Sequence, residues 1–464
     1  MTASQMAEAV RQKKISPVAL AEAHLARISE INPKINAFVQ VDIEGALRQA
    51  RAAENTISLG QNTGPLHGVP ITIKSSIEVS GFRCEAGTKL RSGYCVKTDA
   101  PLVTRLRKAG AIILGTTNTP ELLMAWETDN LLYGRTNNPW ELTRTAGGSS
   151  GGEAAAIASR CSAAGVGSDG GGSIRVPAHF CGICGLKPTP GRIPATGHYP
   201  QSVGPFALLG VVGPMARTVA DLKIMFEAMQ GPDIGDPSAA PVPVRWPTGE
   251  GLRKTRIGYF EDDGRTPVTP ETRIAVRQAA EALRSAGFNV EPFCPAGLED
   301  ARRLWWKIFG VAGGMLLGPM INGRESEFSP ILQQFNKWVA AELPHTAQTL
   351  LDTWIERDLL RIRIFEEMQS FQVLLCPVAS VPAFRHGERV WEIEGKQVEY
   401  LDAWSYCEWF NLLGMPAAVV PIGCSKEGLP IGVQIIARPW EEEIVLELSE
   451  ALEKERGDWK SAPG

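Results

Sequence analysis

Histidine is scarce in this chain, with six among 464 residues. No H-E-x-x-H pair is present to hold a catalytic zinc ion, and no Walker-type loop to cradle nucleotide phosphates. Cysteine is sparse too. Nine residues, an odd number scattered along a long chain, argue against a disulfide framework and for a reducing compartment such as the cytoplasm. A surplus of positive charge is also missing: 47 Lys and Arg stand against 51 Asp and Glu, net −4, so nucleic acid is not expected as a partner. The most apolar run read directly from the sequence, Phe206 to Val212, is far too short to span a bilayer, and no membrane span is expected. The opening residues do not read as a secretory signal, because Thr2-Ala-Ser-Gln5 is a capping box and Arg11, Lys13 and Lys14 follow. Repeats and low-complexity tracts are absent as well.

What remains is an ordinary globular composition, 44% apolar and 21% charged, on a chain long enough for a large α/β unit. Ser16-Pro17 predicts a helix start, and apolar spacing from Leu20 to Ile28 carries it toward Asn32-Pro33. Val69–Lys74 and Ala111–Thr116 read as strands around a helix, Ala100–Ala109. Further strands are expected at Arg256–Phe260, Val373–Pro377, Ala417–Pro421 and Gly432–Ile436, and helices at Glu271–Ala286 and Glu442–Lys454. Residues 297–370 read as helical. The expectation is a single unit over 1–464, divided into N-terminal helices (1–65), a core (66–230), a Pro/Gly-rich connection (231–255), an α/β part with a helical insertion (256–400) and closing core strands with a helix (401–456).

Residues 145–188 hold an unusual density of glycine, with Glu153–Ser159 as the only obvious helix. Glycine at this density costs backbone entropy and points to unusual dihedrals or close backbone approach. Gly165-Val-Gly-Ser-Asp-Gly170 matches a dinucleotide-binding fingerprint, but Pro177 spoils the helix that should follow and no acidic residue sits about 20 positions on. Cys181-Gly-Ile-Cys184 lacks the second ligand pair that zinc needs, so both thiols are expected to be packed in the core. No metal and no cofactor is expected.

Serine chemistry survives this sorting. Gly171-Gly-Ser-Ile-Arg175 fails the G-x-S-x-G elbow of α/β hydrolases, and the nearest histidine, His179, reads as a loop residue. A base other than histidine is therefore implied. Lys74 ends an apolar strand, where burial would lower its pKa and free the amine; the alternative is a strand-end lysine that merely snorkels to water.

These segments resemble the amidase signature family. The match is carried by Gly147-Gly-Ser-Ser-Gly-Gly-Glu-Ala-Ala-Ala-Ile-Ala158, Gly167-Ser-Asp-Gly-Gly-Gly-Ser-Ile-Arg175 and Cys181-Gly-Ile-Cys-Gly-Leu-Lys-Pro188. Gly68-Val-Pro-Ile-Thr-Ile-Lys74, Gly115-Thr-Thr-Asn118, Asn411-Leu-Leu-Gly-Met-Pro416 and Gly428-Leu-Pro-Ile-Gly-Val-Gln434 support it, so the likeness covers nearly the whole chain. It implies a large mixed β-sheet flanked by helices, with a helical insertion forming part of the substrate cleft. It also implies a Ser–cis-Ser–Lys triad of Ser173 as nucleophile, Ser149 as bridge and Lys74 as base. The family's oxyanion hole maps to the backbone N–H groups of Gly170, Gly171, Gly172 and Ser173, and Asp169 and Arg175 match residues that brace this loop.

Leu123, Met124, Ala125 and Trp126 align with the acyl-pocket segment of relatives, and Trp404, Trp409 and Phe410 are further candidates for the cleft. Twelve tryptophans tilt the expected substrate toward hydrophobic or aryl amides, with esters and carbamates (urethanes) compatible. Gly152-Glu153 and Phe180-Cys-Gly-Ile-Cys184 look closer to fatty-acid-amide and aryl-acylamide hydrolases than to the competing reading, the glutaminase component of a tRNA-dependent amidotransferase. A non-catalytic scaffold would not need Lys74, Ser149 and Ser173 together. The sequence leaves a homodimer open.

Overall fold

The computed structural model describes residues 1–61, 63–342 and 344–463. Its first helix, Ala3–Arg11, starts from the Thr2–Gln5 capping box, and the second, Pro17–Ile35, from Ser16, whose hydroxyl accepts from the N–H groups of Val18 and Ala19. The second helix runs past the expected stop. Pro33 lies inside its last turn, and termination is left to Asn36 in a left-handed conformation while the Asn32 side chain caps Ala37 and Phe38.

Thirteen strands follow in chain order among the described residues. They are β1 Phe38–Val41, β2 Pro70–Lys74, β3 Ile112–Thr117, β4 Ala164–Asp169, β5 Cys184–Lys187, β6 Val211–Ala216, β7 Arg256–Tyr259, β8 Asn289–Pro292, β9 Val373–Pro377, β10 Val390–Ile393, β11 Lys396–Glu399, β12 Ala417–Cys424 and β13 Pro430–Ala437. Eleven form one mixed sheet in the order β1-β3-β2-β4-β6-β5-β12-β13-β9-β7-β8, and β10 and β11 pair as a separate hairpin. The β3-β2-β4 and β9-β7-β8 neighbours run parallel, and the strands between them pair antiparallel. The mixed sheet agrees with the expectation from sequence.

Each sheet face carries its own core. Alternate residues of a strand point to opposite sides, so Ala418 and Val420 enter one cluster and Val419 the other. Helices Val219–Met229, Pro270–Ser285 and Glu442–Arg456 cover the first face. Helices Gly151–Ala158, Arg175–Cys181 and Ser405–Leu412 cover the second, with the helical insertion beyond them. The Ala-rich helix seats unusually close to the sheet. A Cβ on Gly152 would come within 2.4 Å of the Asn118 backbone nitrogen, so only glycine fits there.

Two expectations are corrected. The helix Arg175–Cys181 forms despite Pro177, which sits in its first turn where a proline N–H would be unpaired anyway. The expectation drawn from Phe206–Val212, that no stretch is long and apolar enough to cross a bilayer, also needs amending. Continuous helix from Leu298 to Ile321 has a mean hydropathy of 1.3 over its most apolar window and passes the length and composition test for a membrane crossing. Glycines and Lys307 break it into short runs, which is why the sequence conceals it. Here 56% of that window is buried, and its turns widen into a π-helix over Trp306–Ala312.

Candidate active site

Alternation along β2 sends Ile71 and Ile73 into one core and Thr72 and Lys74 to the opposite face, under the start of helix Gly151–Ala158. Lys74 has no exposed surface. Its Nζ lies 2.7 Å from Ser149 Oγ, 2.9 Å from Ser150 Oγ and 2.9 Å from Ser168 Oγ. Burial pushes its pKa well below the ordinary lysine value, against the opposing pull of Asp169 and Glu153. Glu153 is itself buried and pushed up to about 7, and it accepts hydrogen bonds from the Thr72 and Thr117 hydroxyls. The local electrostatics thus favour an uncharged amine. Sequence reasoning marked Glu153 only as part of the Gly152-Glu153 likeness, not as a neighbour of Lys74, and did not single out Ser168.

The Gly148–Ser149 peptide bond is cis. Ser173 lies on the loop between β4 and helix Arg175–Cys181, and its carbonyl accepts from the Ser150 N–H at 3.1 Å, which stitches the two serine loops together. Ser149 and Ser173 line the same cavity, while Lys74 does not. Any proton passing between Lys74 and that cavity must therefore travel through a hydroxyl. Lys74 meets the Ser149 hydroxyl, but no hydrogen bond joins the Ser149 and Ser173 hydroxyls among the described residues. Such a contact commonly closes only once substrate is bound.

Asp169 and Arg175, the residues expected to brace the loop, are buried together beside it. Arg175 Nε and Nη2 each lie 3.0 Å from one Asp169 oxygen, a two-pronged pairing, and Arg175 also reaches Gln434 and Asn411. Burial alone would raise the Asp169 pKa; the Arg175 guanidinium outweighs it and holds the carboxyl well below the usual range. That stabilisation is present above the ordinary carboxylate pKa and is lost only as pH falls far below it. Arg175→Met would strand a buried carboxylate and is expected to cost about 3–5 kcal/mol in urea unfolding at neutral pH.

One member of the expected oxyanion set is occupied. The Gly172 N–H donates to Asp169 Oδ1 at 2.7 Å, so it is not free to meet a developing oxyanion. Gly170, Gly171 and Ser173 keep N–H groups without a partner among the described residues.

The cavity above this loop measures about 710 Å3, its open mouth included. Leu123, Met124, Ala125 and Trp126 all line it, joined by Trp305, Phe309, Phe206 and Phe335, which the sequence did not mark as pocket residues. Trp404, Trp409 and Phe410 do not. They are buried in the core, where Trp404 stacks on the back of Trp126 at 5.9 Å between ring centroids. Among the described residues, none of the lining side chains is a lysine or arginine. His198 contributes an imidazole; burial lowers its pKa to about 4, so it is neutral at physiological pH. His179 is a correction: it is buried in a helix, not in a loop, with its Nδ1 accepting from the Gly432 N–H. Cys181 and Cys184 are buried free thiols. Among the described residues no cluster of His, Cys, Asp and Glu could hold a metal ion.

Known proteins similar to this chain include amide hydrolases and an amidotransferase component. The chain is 34% identical to an indoleacetamide hydrolase of Bradyrhizobium diazoefficiens, over 98% of this chain and 86% of that one. It is also 34% identical to a component of the glutamyl-tRNA(Gln) amidotransferase of Roseiflexus castenholzii, over 99% and 96%. Among solved structures, a bacterial aryl acylamidase of the amidase signature family superposes with a TM-score of 0.87 at 27% identity, covering 98% of this chain and 96% of that one. The Amidase family model matches residues 19–446, and the chain accordingly belongs to the amidase family of amide-hydrolysing enzymes.

Proposed function

We propose that the chain hydrolyses the C–N bond of carboxamides bearing apolar or aryl groups, with Ser173 as nucleophile, Ser149 as bridge and Lys74 as base. The observation that carries this reading is a fully buried Lys74 amine 2.7 Å from a hydroxyl that itself lines the cavity. Neutral Lys74 takes the Ser149 proton as Ser149 takes that of Ser173, whose Oγ bonds to the carbonyl carbon. The oxygen gathers negative charge under the N–H groups of Gly170, Gly171 and Ser173. The C–N bond then breaks, the proton returns through Ser149 to the departing nitrogen, and an acyl-enzyme remains. Water attacks it by the same relay, releasing the acid and restoring Ser173. Esters and carbamates present the same carbonyl and a leaving group, and fall within this chemistry.

The aromatic wall of the cavity supports an apolar substrate. The competing reading, a glutaminase working inside an amidotransferase, asks for a cation facing the α-carboxylate of glutamine. No lining residue among those described supplies one. A panel of small amides, anilides, esters, carbamates and glutamine, assayed with the purified chain alone, tests the choice. Turnover of anilides without any partner is expected; activity on glutamine only, or only with a partner protein, would overturn the reading. The pH dependence has a definite sign. Protonated Lys74 cannot act as base, so kcat is expected to fall as pH is lowered through its pKa, with the midpoint well below the ordinary lysine value.

A further inference from the structure

Two tryptophans from distant parts of the chain hold the carbonyl groups of the catalytic loop. Trp305 Nε1 donates to the Gly170 carbonyl at 2.7 Å, and Trp126 Nε1 donates to the Gly171 carbonyl at 2.8 Å. Both indoles are nearly free of solvent contact, 1% and 5% exposed, so neither bond competes with water. A peptide unit is planar and its N–H points opposite to its C=O. Fixing the Gly170 carbonyl therefore fixes the direction of the Gly171 N–H, one of the three loop donors without a partner among the described residues. The next unit is tied at both ends, by Trp126 on its carbonyl and by Asp169 on the Gly172 N–H.

Packing repeats the message. A Cβ on Gly171 would come within 2.4 Å of the Trp305 ring, and one on Gly170 within 2.5 Å of the Phe309 ring. The aromatic rings thus rest directly on the loop's α-carbons. Trp305 and Phe309 are stacked with ring centroids 5.1 Å apart, and Trp305 meets Trp126 at 6.0 Å. Trp126 is held in turn by Tyr400, whose hydroxyl accepts its backbone N–H at 3.0 Å.

We infer that Trp305 and Trp126 are positioning residues, whose indole N–H groups aim the oxyanion-binding amides while their rings wall the acyl cavity. This rests on the amide-hydrolase reading above. It differs from a wall role alone in where the effect falls: a wall sets substrate affinity, whereas an aimed donor is felt chiefly in the transition state.

Trp305→Phe keeps an aromatic ring, deletes the donor and trims the indole to a phenyl, and Phe335→Leu is the control for loss of wall mass alone. With p-nitroacetanilide and the phenylacetyl p-nitroanilide as probes, kcat is expected to drop about 10- to 100-fold for both, a fraction of what loss of an oxyanion donor itself costs. KM should stay within about threefold, and modification of Ser173 by a fluorophosphonate should slow by a similar factor to kcat. Phe335→Leu, which alters the wall without touching the loop, should instead change KM and do so differently for the two acyl groups. Trp126→Phe is expected to give the same kcat-selective loss as Trp305→Phe, and serves as the test if the Trp305 variant misfolds. Unchanged kcat with raised KM in the Trp→Phe variants would overturn the inference while leaving the amidase reading standing. A wild-type chain that neither turns over these anilides nor takes the fluorophosphonate would sink both.

Discussion

Ser173→Ala is expected to lower kcat on a good anilide by about 100,000-fold, with the fold and the cavity intact. The reason is bond-making: Ser173 supplies the only covalent partner for the acyl group in the proposed scheme. The substitution removes a single oxygen from a side chain that makes no hydrogen bond among the described residues, so thermal stability should change little. What remains would come from the loop amides and substrate binding. The check is single-turnover kinetics beside a melting curve, and a variant that retained more than about 1% of wild-type kcat would exclude Ser173 as the nucleophile.

Lys74→Met comes next in size. It replaces a buried amine with an apolar side chain of similar length and should cost about 1,000- to 10,000-fold in kcat, the usual worth of a general base. Stability is a separate matter. Lys74→Met removes a desolvated nitrogen but also takes a partner from the buried Ser149, Ser150 and Ser168 hydroxyls, so the two effects oppose each other. Loss of activity with a cooperative thermal transition and at most a modest shift in its midpoint is the expected pair of results. Robust activity near neutral pH would remove Lys74 from the scheme.

Much of this was legible in the sequence, and the division has physical causes. Lys74 could be read because it ends an apolar run, and the serines because they sit in glycine-rich loops next to short helices. The partners brought in from far along the chain were less accessible. Trp305 and Phe309 sit in a helical stretch where four tryptophans look alike until packing sorts them. Trp404 and Trp409 illustrate the reverse error: their apolar character was visible, but whether an aromatic faces a cavity or its supporting core depends on neighbours more than 250 residues away, such as Trp126 behind Trp404. The Gly172 amide is subtler still, because nothing in a run of glycines tells which N–H a nearby Asp169 will claim. Helix ends failed where local rules conflicted, as at Pro33, which the last turn tolerated.

The shape of the site also suggests why so much aromatic mass is gathered there. A base sealed behind Ser149 is useful only if the hydroxyl in front is kept dry, since water in its place would hydrogen-bond the amine and raise its pKa. Trp126, Trp305 and Phe309 line the cavity that Ser149 also lines.

The central claim is that a desolvated lysine drives the attack of Ser173 through an intervening serine. Its most direct measurement is the rate at which a fluorophosphonate modifies the protein, followed across pH in the wild type and in Lys74→Met, with the adduct located by peptide mass spectrometry. The account predicts an adduct on Ser173, a rate that rises with pH through a midpoint well below 10.5, and a slow rate without that midpoint in the variant. An adduct on another residue, or equal rates and pH profiles in the two proteins, would contradict it.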